Sequence, residues 1–257
     1  MQTGAITQYI DVAQLVLYAF WLFFALLILY LLRENKREGY PLDSDRRGGV
    51  SVVGFPKPPA TPKTFRLMHG GTVTVPRAEP DYPPLAAVPA AAWPGAPLIP
   101  TGDPMRDAVG PASYAMRADT PDLTIDGSIK IVPMRTVADC GVEDQDPDPR
   151  GMTVVDAQGK TAGTVTDLWI DRSEMVFRYL ECEAADGGAR VLVPMPLVRI
   201  DGRKRTVKLN SIAAKQFAHA PKPKQAESIT FREEDQLSAY FASGHLYAYP
   251  GRTESAL

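Results

Sequence analysis

The chain has few residues of the kinds that build covalent or metal-bound structure. Its 257 residues include two cysteines and three histidines. Cys140 and Cys182 form no CxxC pair, and in a cytoplasmic domain they would stay reduced. His69, His219 and His245 are far apart in the sequence and lack a metal-ligand spacing such as HExxH. We therefore predict reduced cysteines and no metal site.

Motifs for nucleotide binding and nucleophilic catalysis are also lacking. The sequence has no GxxxxGK[ST], no GxGxxG between a strand and a helix and no GxSxG. Without phosphate-binding amides or an activated nucleophile, we predict no catalytic residue, no cofactor bound by this chain alone and no enzymatic activity of its own. The formal net charge of -2 gives no basic field over the whole chain of the kind expected for a nucleic-acid partner.

One long apolar run is present in a chain that is otherwise polar. Residues 12–32 carry no charge, and as a helix they would extend roughly 31 Å, which matches a hydrocarbon core of about 30 Å. The run lacks the basic start and the cleavage site of a secretory signal peptide. We predict a single transmembrane helix.

Charged residues flank this run asymmetrically. Asp11 is the only charge before it, whereas several basic residues follow it: Arg33, Lys36, Arg37, Arg46 and Arg47. Positive charge favours the cytoplasmic side of a span. We therefore predict that residues 1–11 are periplasmic and that the large domain is cytoplasmic.

Proline is concentrated in residues 33–149. Of the 24 prolines, 19 lie between Pro41 and Pro149. Proline fixes φ and removes a backbone donor, which excludes long helices and central strands through most of this segment. The segment also carries irregularly spaced apolar residues, namely Phe55, Phe65, Leu67, Tyr82, Leu85, Trp93, Leu98, Ile99 and Tyr114. We predict an extended segment that packs on partner subunits; the alternative is a partly disordered tether.

Short alternating runs rich in Val, Ile, Thr and aromatic residues begin at residue 150. Turn signals separate them at residues 157–159, 186–188 and 201–202. Five or six such strands with tight connections predict a small antiparallel barrel or sandwich over residues 150–220.

Two helices are predicted after the strands. Residues 211–219 have helical spacing of apolar residues, with Ser211 as the candidate cap, and this helix would close the barrel. In the C-terminal segment, residues 221–257, three acids precede an apolar stretch and would meet the positive end of a helix dipole. We predict a last helix of about three turns that ends near Gly244.

Ionisable residues are dense around the second and third strands of residues 150–220. The group comprises Asp167, Asp171, Arg172, Glu174, Arg178, Glu181 and Glu183. Most such groups are solvated surface charges. Carboxylates held close together under partial burial can instead have raised, coupled pKa values and can pass protons near neutral pH. The spacing alone does not choose between these two roles.

Several segments, taken together and in order, carry a resemblance to a known family. They are the N-terminal span with RENKREGYPLDSD at 33–45, PKTFRLMHGGTVTVP at 62–76, PTGDPMRDAVGPASYA at 100–115, PDLTIDGSIKIVPMR at 121–135, DPRGMTVVDAQGKTAGTVTDLWIDRSE at 148–174, RYLECE, and the terminal EEDQLSAYFASGHLYA. In this order they resemble the H subunit of the photosynthetic reaction centre of purple bacteria.

The resemblance implies a fold and a function. The fold is a single N-terminal transmembrane helix plus a mainly β cytoplasmic domain, a small antiparallel PRC-type barrel with a C-terminal helix. The function is that of a non-pigmented subunit in the bacterial inner (intracytoplasmic) membrane. It caps the two pigment-binding subunits, shields the quinone sites and supports proton delivery to the secondary quinone. Bacteriochlorophyll, bacteriopheophytin, quinones and non-haem iron would belong to the partner subunits, and a light-harvesting antenna and a cytochrome subunit are further candidate partners.

The resemblance also implies site residues. Asp171, Glu174 and Arg178 occupy the family's positions near the proton route. Where familiar members carry an acid and two histidines at the surface entrance, this chain has Thr124, Asp126 and Ser128. Asp126 is the candidate proton-transfer group there, but unless its pKa is raised it collects protons only weakly in comparison with a histidine, so we expect the entrance to be shifted. Arg33, Lys36 and Arg37 would lie among lipid headgroups.

An alternative function belongs to a different class. A membrane-tethered PRC-barrel adaptor could bind RNA-processing or ribosome-assembly partners through a basic face with exposed aromatics. A candidate basic group exists at Arg199, Arg203, Lys204, Arg205 and Lys208, although acids are as numerous in the barrel. An independent membrane-bound oxidoreductase is disfavoured because no cofactor signature is present.

Overall fold

The computed structural model describes residues 4–6, 10–38, 42–43, 51–52, 62–75, 84–93 and 95–252. The chain divides into two compact units, Met1–Pro80 and Asp81–Leu257. Parts of the predicted partner-packing segment, among them residues 44–50 and 53–61, lie outside the described residues.

The first unit is dominated by helix α1 (Val12–Arg37). The Asp11 side chain caps it by accepting a hydrogen bond of 2.7 Å from the backbone N–H of Gln14. Within the described residues, α1 is the one helix long and apolar enough to cross a membrane, with a mean hydropathy of 2.6. The uncharged run predicted as a span, residues 12–32, lies within it.

The remaining described elements of the first unit are two short antiparallel pairs. Strand β1 (Leu42–Asp43) pairs with β2 (Ser51–Val52), and β3 (Lys63–Arg66) pairs with β4 (Thr72–Val75). Lys63 holds the second pair at the end of α1, because its Nζ lies 2.6 Å from Glu38 Oε1.

The second unit contains a seven-stranded sheet preceded by a small hairpin. The hairpin pairs β5 (Ala87–Pro89) with β6 (Leu98–Pro100). The sheet strands are β7 (Ile131–Pro133), β8 (Thr153–Asp156), β9 (Thr161–Asp171), β10 (Val176–Ala184), β11 (Arg190–Pro194), β12 (Val198–Asp201) and β13 (Thr206–Leu209). Their order is β11-β10-β9-β8-β13-β12, with β7 added beside β9, and the sheet curls as a half-barrel.

Strand β9 organises this sheet because it pairs with three others. Its first half pairs with β8, its last three residues pair with β7, and β10 runs along nearly its whole length. At Gly163 a Cβ would lie 2.3 Å from the carbonyl oxygen of Glu183 on β10. Only glycine therefore allows this close approach of the two strands.

One strand pair departs from the predicted antiparallel barrel. Strands β8 and β13 run parallel, whereas every other pair in this sheet is antiparallel. A parallel pair cannot be joined by a tight turn. The chain between them instead passes through the β9–β10–β11 meander and then through β12, which lies at the opposite end of the strand order, before β13 pairs with β8.

The core draws on residues that the sequence analysis assigned to a separate segment. Met105, Ile131 and Met134 are buried in the same cluster as Leu168 and Trp169 of β9. These residues belong to the second unit, which begins at Asp81, and the division predicted at residues 149 and 150 stays a prediction. Apolar side chains within the proline-rich segment pack back onto the barrel, which the proline content did not reveal.

The helices also differ in detail from those predicted. Helix α2 spans only Ala214–Phe217, and Ser211 is buried beside it and is not its cap. Asp156 from β8 provides the acceptor instead, since its Oδ2 lies 3.0 Å from the N–H of Ala214. No local sequence pattern predicts a cap that comes from a distant strand.

Helix α3 spans Phe231–Tyr247 and is capped by Thr230, whose hydroxyl accepts a hydrogen bond from the N–H of Glu233. Glu233 and Glu234 thus lie in its first turn, near the positive end of the helix dipole as expected, and the helix continues beyond Gly244, near which it was predicted to end.

The predicted fold class is confirmed: an N-terminal apolar helix, a mainly β domain and a C-terminal helix.

Candidate functional site

Lys130 gathers three carboxylates at one end of the sheet. Its Nζ lies 3.4 Å from Asp122 Oδ2, 3.4 Å from Asp171 Oδ2 and 3.5 Å from Glu174 Oε1. Burial disfavours the charged ammonium and so lowers the pKa of Lys130. The negative charges and hydrogen bonds of Asp171 and Asp122 have the larger, opposite effect, so the pKa of Lys130 lies above its ordinary value. Lys130 is therefore a fixed positive charge among carboxylates. The sequence analysis did not select it.

The end of β9 holds Asp171 in place. The Asp171 Oδ1 atom accepts hydrogen bonds of 2.9 and 3.0 Å from the N–H groups of Ser173 and Glu174 in the turn that follows. The side chain of Asp171 is 1 % exposed, whereas that of Glu174 is 56 % exposed. One short turn thus places a buried carboxylate next to a solvent-accessible one.

A second cation continues the series of charges. Arg178 on β10 lies between two carboxylates, with its Nη1 4.0 Å from Glu174 Oε2 and its Nη2 3.9 Å from Glu234 Oε2. We call Asp122, Lys130, Asp171, Glu174, Arg178 and Glu234 the Lys130 cluster. Of the predicted proton-transfer residues, the structure brings Asp171, Glu174 and Arg178 together in it.

Glu234 is a member of the cluster that sequence reasoning missed. It lies in the first turn of α3 and was interpreted only as a partner of the helix dipole. The Tyr179 hydroxyl donates a hydrogen bond of 2.8 Å to its Oε2. Burial raises the pKa of Glu234, although Tyr179 and Arg178 act in the opposite direction. The contact joins residues 55 positions apart, so no local pattern could predict it.

Asp126 lies apart from these contacts, at the tip of a small hairpin closed by the bridge between Leu123 and Ile129. The hydroxyls of Thr124 and Ser128 both donate hydrogen bonds to its carboxylate, the second at 2.8 Å. These two bonds, the Thr124 bond foremost, hold the pKa of Asp126 below its ordinary value. At neutral pH Asp126 is therefore ionised and holds protons weakly.

The three basic residues predicted at lipid headgroups have different environments at the end of α1. Arg33 is exposed, and Lys36 is buried, with 3 % of the residue accessible. Arg37 donates to both carboxylate oxygens of Glu34, at 2.9 and 3.1 Å. Arg33 is thus the most accessible of the three, and the lipid role of all three stays a prediction.

A metal site is not found in the described part of the chain. There, no group of three or more His, Cys, Asp or Glu side chains is arranged to hold an ion.

The apolar helix and the curled sheet define a class: a membrane-anchored protein with a PRC-type domain. The comparisons with known families agree. The model of the photosynthetic reaction centre H-chain N-terminal region matches residues 4–136, and that of the PRC-barrel domain matches residues 141–216. The first match covers more than half of the chain. The chain therefore belongs to the photosynthetic reaction centre H-chain family, as the sequence resemblance predicted.

Membership of this family sets the general role. The chain is a membrane-anchored structural subunit that associates with the other subunits of a photosynthetic reaction centre. The pigments of such a centre are held by the partner subunits. This assignment disfavours the RNA-binding adaptor.

Proposed function

We propose that this chain caps the cytoplasmic side of the pigment-binding subunits, shields the quinone sites from water and delivers protons to the secondary quinone. The observation that supports proton delivery is the Lys130 cluster. Its successive charged groups lie within 4.0 Å of one another, and their exposure runs from 56 % at Glu174 to 1 % at Asp171. Such a series can exchange protons with solvent at one end and act inside the protein at the other.

The residues would have distinct roles. Glu174, the most exposed carboxylate of the series, would exchange protons with solvent. Asp171 and Lys130 would set the local field, since a buried charge acts through a low effective dielectric. Arg178 would connect Glu174 to Glu234, whose raised pKa favours proton storage closer to neutral pH.

Asp126 would act differently from a histidine. Its lowered pKa leaves it charged, so it would attract protons to the surface without storing them. We propose that the proton entrance is shifted from Asp126 towards Glu174, which is the exposed carboxylate in contact with Lys130.

The charges that flank α1 support the proposed orientation. Basic residues after the span favour a cytoplasmic second unit, and Arg33 is accessible for an anionic lipid headgroup. The exposed apolar side chains of the described proline-rich segment, including Leu85, Leu98 and Ile99, would be covered by the partner subunits.

The experiment is to measure proton uptake coupled to the second electron in the assembled complex. Glu174→Gln keeps the size of the side chain and removes its exchangeable carboxyl proton, so uptake should slow and its pH dependence should change. Glu183→Gln is the matched control, because Glu183 is also an exposed acid but lies outside the Lys130 cluster. Unchanged rate and pH dependence in Glu174→Gln would reject the role of that residue.

Assembly itself is tested by the absorption of the purified complex. The tagged chain, isolated from native membranes in mild detergent, should carry bacteriochlorophyll and bacteriopheophytin bands that bleach reversibly in light. A colourless preparation that contains RNA would favour the adaptor instead.

A further inference from the structure

The β12–β13 hairpin concentrates positive charge on the side of the barrel. Between residues 199 and 208 the chain carries one acid, Asp201, and five exposed basic residues: Arg199, Arg203, Lys204, Arg205 and Lys208. The Lys130 cluster uses none of them. The hairpin therefore has an excess of positive charge, whereas the whole chain has a net charge of -2.

The register of the hairpin makes two of these basic residues cross-strand neighbours. Arg199 is directly opposite Lys208 in the antiparallel pair. Like charges in this position destabilise a sheet. Neither side chain, nor that of Arg203, has a carboxylate within 4.0 Å among the residues that the structure describes. These three positive charges therefore have no close ion-pair partner in the described part of the chain.

These cations line a cavity. Arg199, Arg203 and Lys208 form one wall of an open groove of about 860 Å³, and residues 145–147 form the other. A volume of this size is within the range of about 300–1,000 Å³ found for small-molecule sites. We call it the hairpin groove.

A glycine fixes the two walls of the hairpin groove. A Cβ at Gly202 would lie 2.6 Å from Cβ of Pro147, closer than packed carbon atoms approach. The missing side chain therefore lets the 145–147 segment pack against the hairpin turn, and the groove is a built feature of the fold.

The polar groups of the lining indicate the class of ligand. Three cations suit phosphate oxygens, and the amides of Gln145 and Asn210 add further donors. Asp146 and Asp201 supply acceptors for hydroxyl groups. No aromatic side chain lines the groove, whereas RNA recognition uses aromatic rings for base stacking. A concave site also suits a small molecule better than a flat membrane.

We propose that the hairpin groove binds a small phosphorylated molecule that carries hydroxyl groups. Phosphates contact Arg199, Arg203 and Lys208, and hydroxyls donate to Asp146 or Asp201. Binding relieves the repulsion between the opposed Arg199 and Lys208. The proposal does not depend on the proton-delivery role, because the two sites share no residue.

The test measures binding of magnesium-free ATP to the full chain in detergent by calorimetry. We expect saturable binding, weakened roughly tenfold or more in the double variant Arg199→Gln/Lys208→Gln, since hydrogen bonds to charged groups are the stronger kind. Lys160→Gln/Lys215→Gln removes the same charge from exposed residues outside the groove and should change binding by less than about twofold.

Thermal unfolding provides the second measurement. Without ATP, the Arg199→Gln/Lys208→Gln variant should unfold at the same or a higher temperature than the native chain, because a repulsive pair is removed. With ATP, the native chain should gain stability and the variant should not. Failure of the native chain to bind ATP, or equal weakening in both double variants, overturns the proposal. The proposal is also overturned if the Arg199→Gln/Lys208→Gln variant loses binding only to phosphatidylglycerol vesicles or to an RNA oligonucleotide, and not to ATP.

Discussion

Removal of Arg135 should reveal how the barrel tolerates two buried carboxylates. Arg135 Nη1 donates to Asp167 Oδ2 at 2.9 Å and to Glu181 Oε2 at 3.0 Å. The carboxylate side chains are only 9 % and 6 % exposed. Trp169 also donates from its Nε1 to Glu181, at 2.8 Å. The substitution Arg135→Met keeps much of the apolar stem and leaves both carboxylates without their shared guanidinium.

The magnitude follows from burial. Breaking a buried ion pair by removing one partner costs about 3–5 kcal/mol. Arg135 is itself 37 % exposed, and Arg190 still faces Glu181 with its Nε 3.4 Å from Oε1. Solvent screening and this second cation reduce the expected loss to about 2–3 kcal/mol of unfolding free energy. Arg190→Met, which removes the longer and more exposed contact, should cost about 1 kcal/mol or less.

Urea unfolding of the full chain in detergent provides the assay. The chain has three tryptophans, and in a background with Trp21→Phe and Trp93→Phe the fluorescence reports Trp169 in the barrel. The midpoint should fall further for Arg135→Met than for Arg190→Met, with an unchanged slope. If Arg135→Met cost no more than Arg190→Met, the argument from buried, shared carboxylates would be refuted.

Two further substitutions test the packing and electrostatics of α3. Gly244→Ala places a Cβ 2.4 Å from the carbonyl oxygen of Ser211, so the helix and the barrel must move apart. We expect the free energy of unfolding to fall by about 1–3 kcal/mol. The control Gly251→Ala adds its Cβ to open space and should change the free energy of unfolding by less than about 0.5 kcal/mol. Equal midpoints in urea unfolding would contradict this account. Burial raises the pKa of Glu234 in the folded chain. The free energy of unfolding should therefore fall as the pH rises from the pKa of Glu234 in the unfolded chain to its higher pKa in the folded chain. Glu234→Gln keeps an acceptor for Tyr179 and should stabilise the chain at neutral pH but not below about pH 4; the same gain at both pH values would argue against a titrating Glu234.

Local patterns predicted much of the fold. The uncharged run predicted α1, and alternation with turn signals predicted the six strands from β8 to β13. These features depend on neighbours in sequence, as hydrophobic periodicity does. The same reasoning missed β7, because its three residues lie in a segment whose prolines argued against core strands and only pairing with β9 made it part of the sheet.

The candidate site was predicted in part. The carboxylates at Asp171 and Glu174 were selected through the family resemblance, and the structure brings both to Lys130. Lys130 and Glu234 could not be selected from local patterns. Lys130 joins the loop before β7 to the end of β9, and Glu234 joins the start of α3 to β10. Those segments are distant in sequence and meet only through the pairing of β7 with β9 and the docking of α3 on the sheet.

The sequence by itself determined the membrane-spanning helix, the β character of the second unit and the family, because each depends on runs or ordered segments of the chain. Tertiary structure decided which ionisable groups are buried and which lie together. It buried Asp171 beside an exposed Glu174, capped α2 with Asp156 and placed Arg199 against Lys208. Burial and charge proximity are properties of packed surfaces, and they fix the pKa values and fields on which the proposed proton transfer and the proposed ligand binding depend.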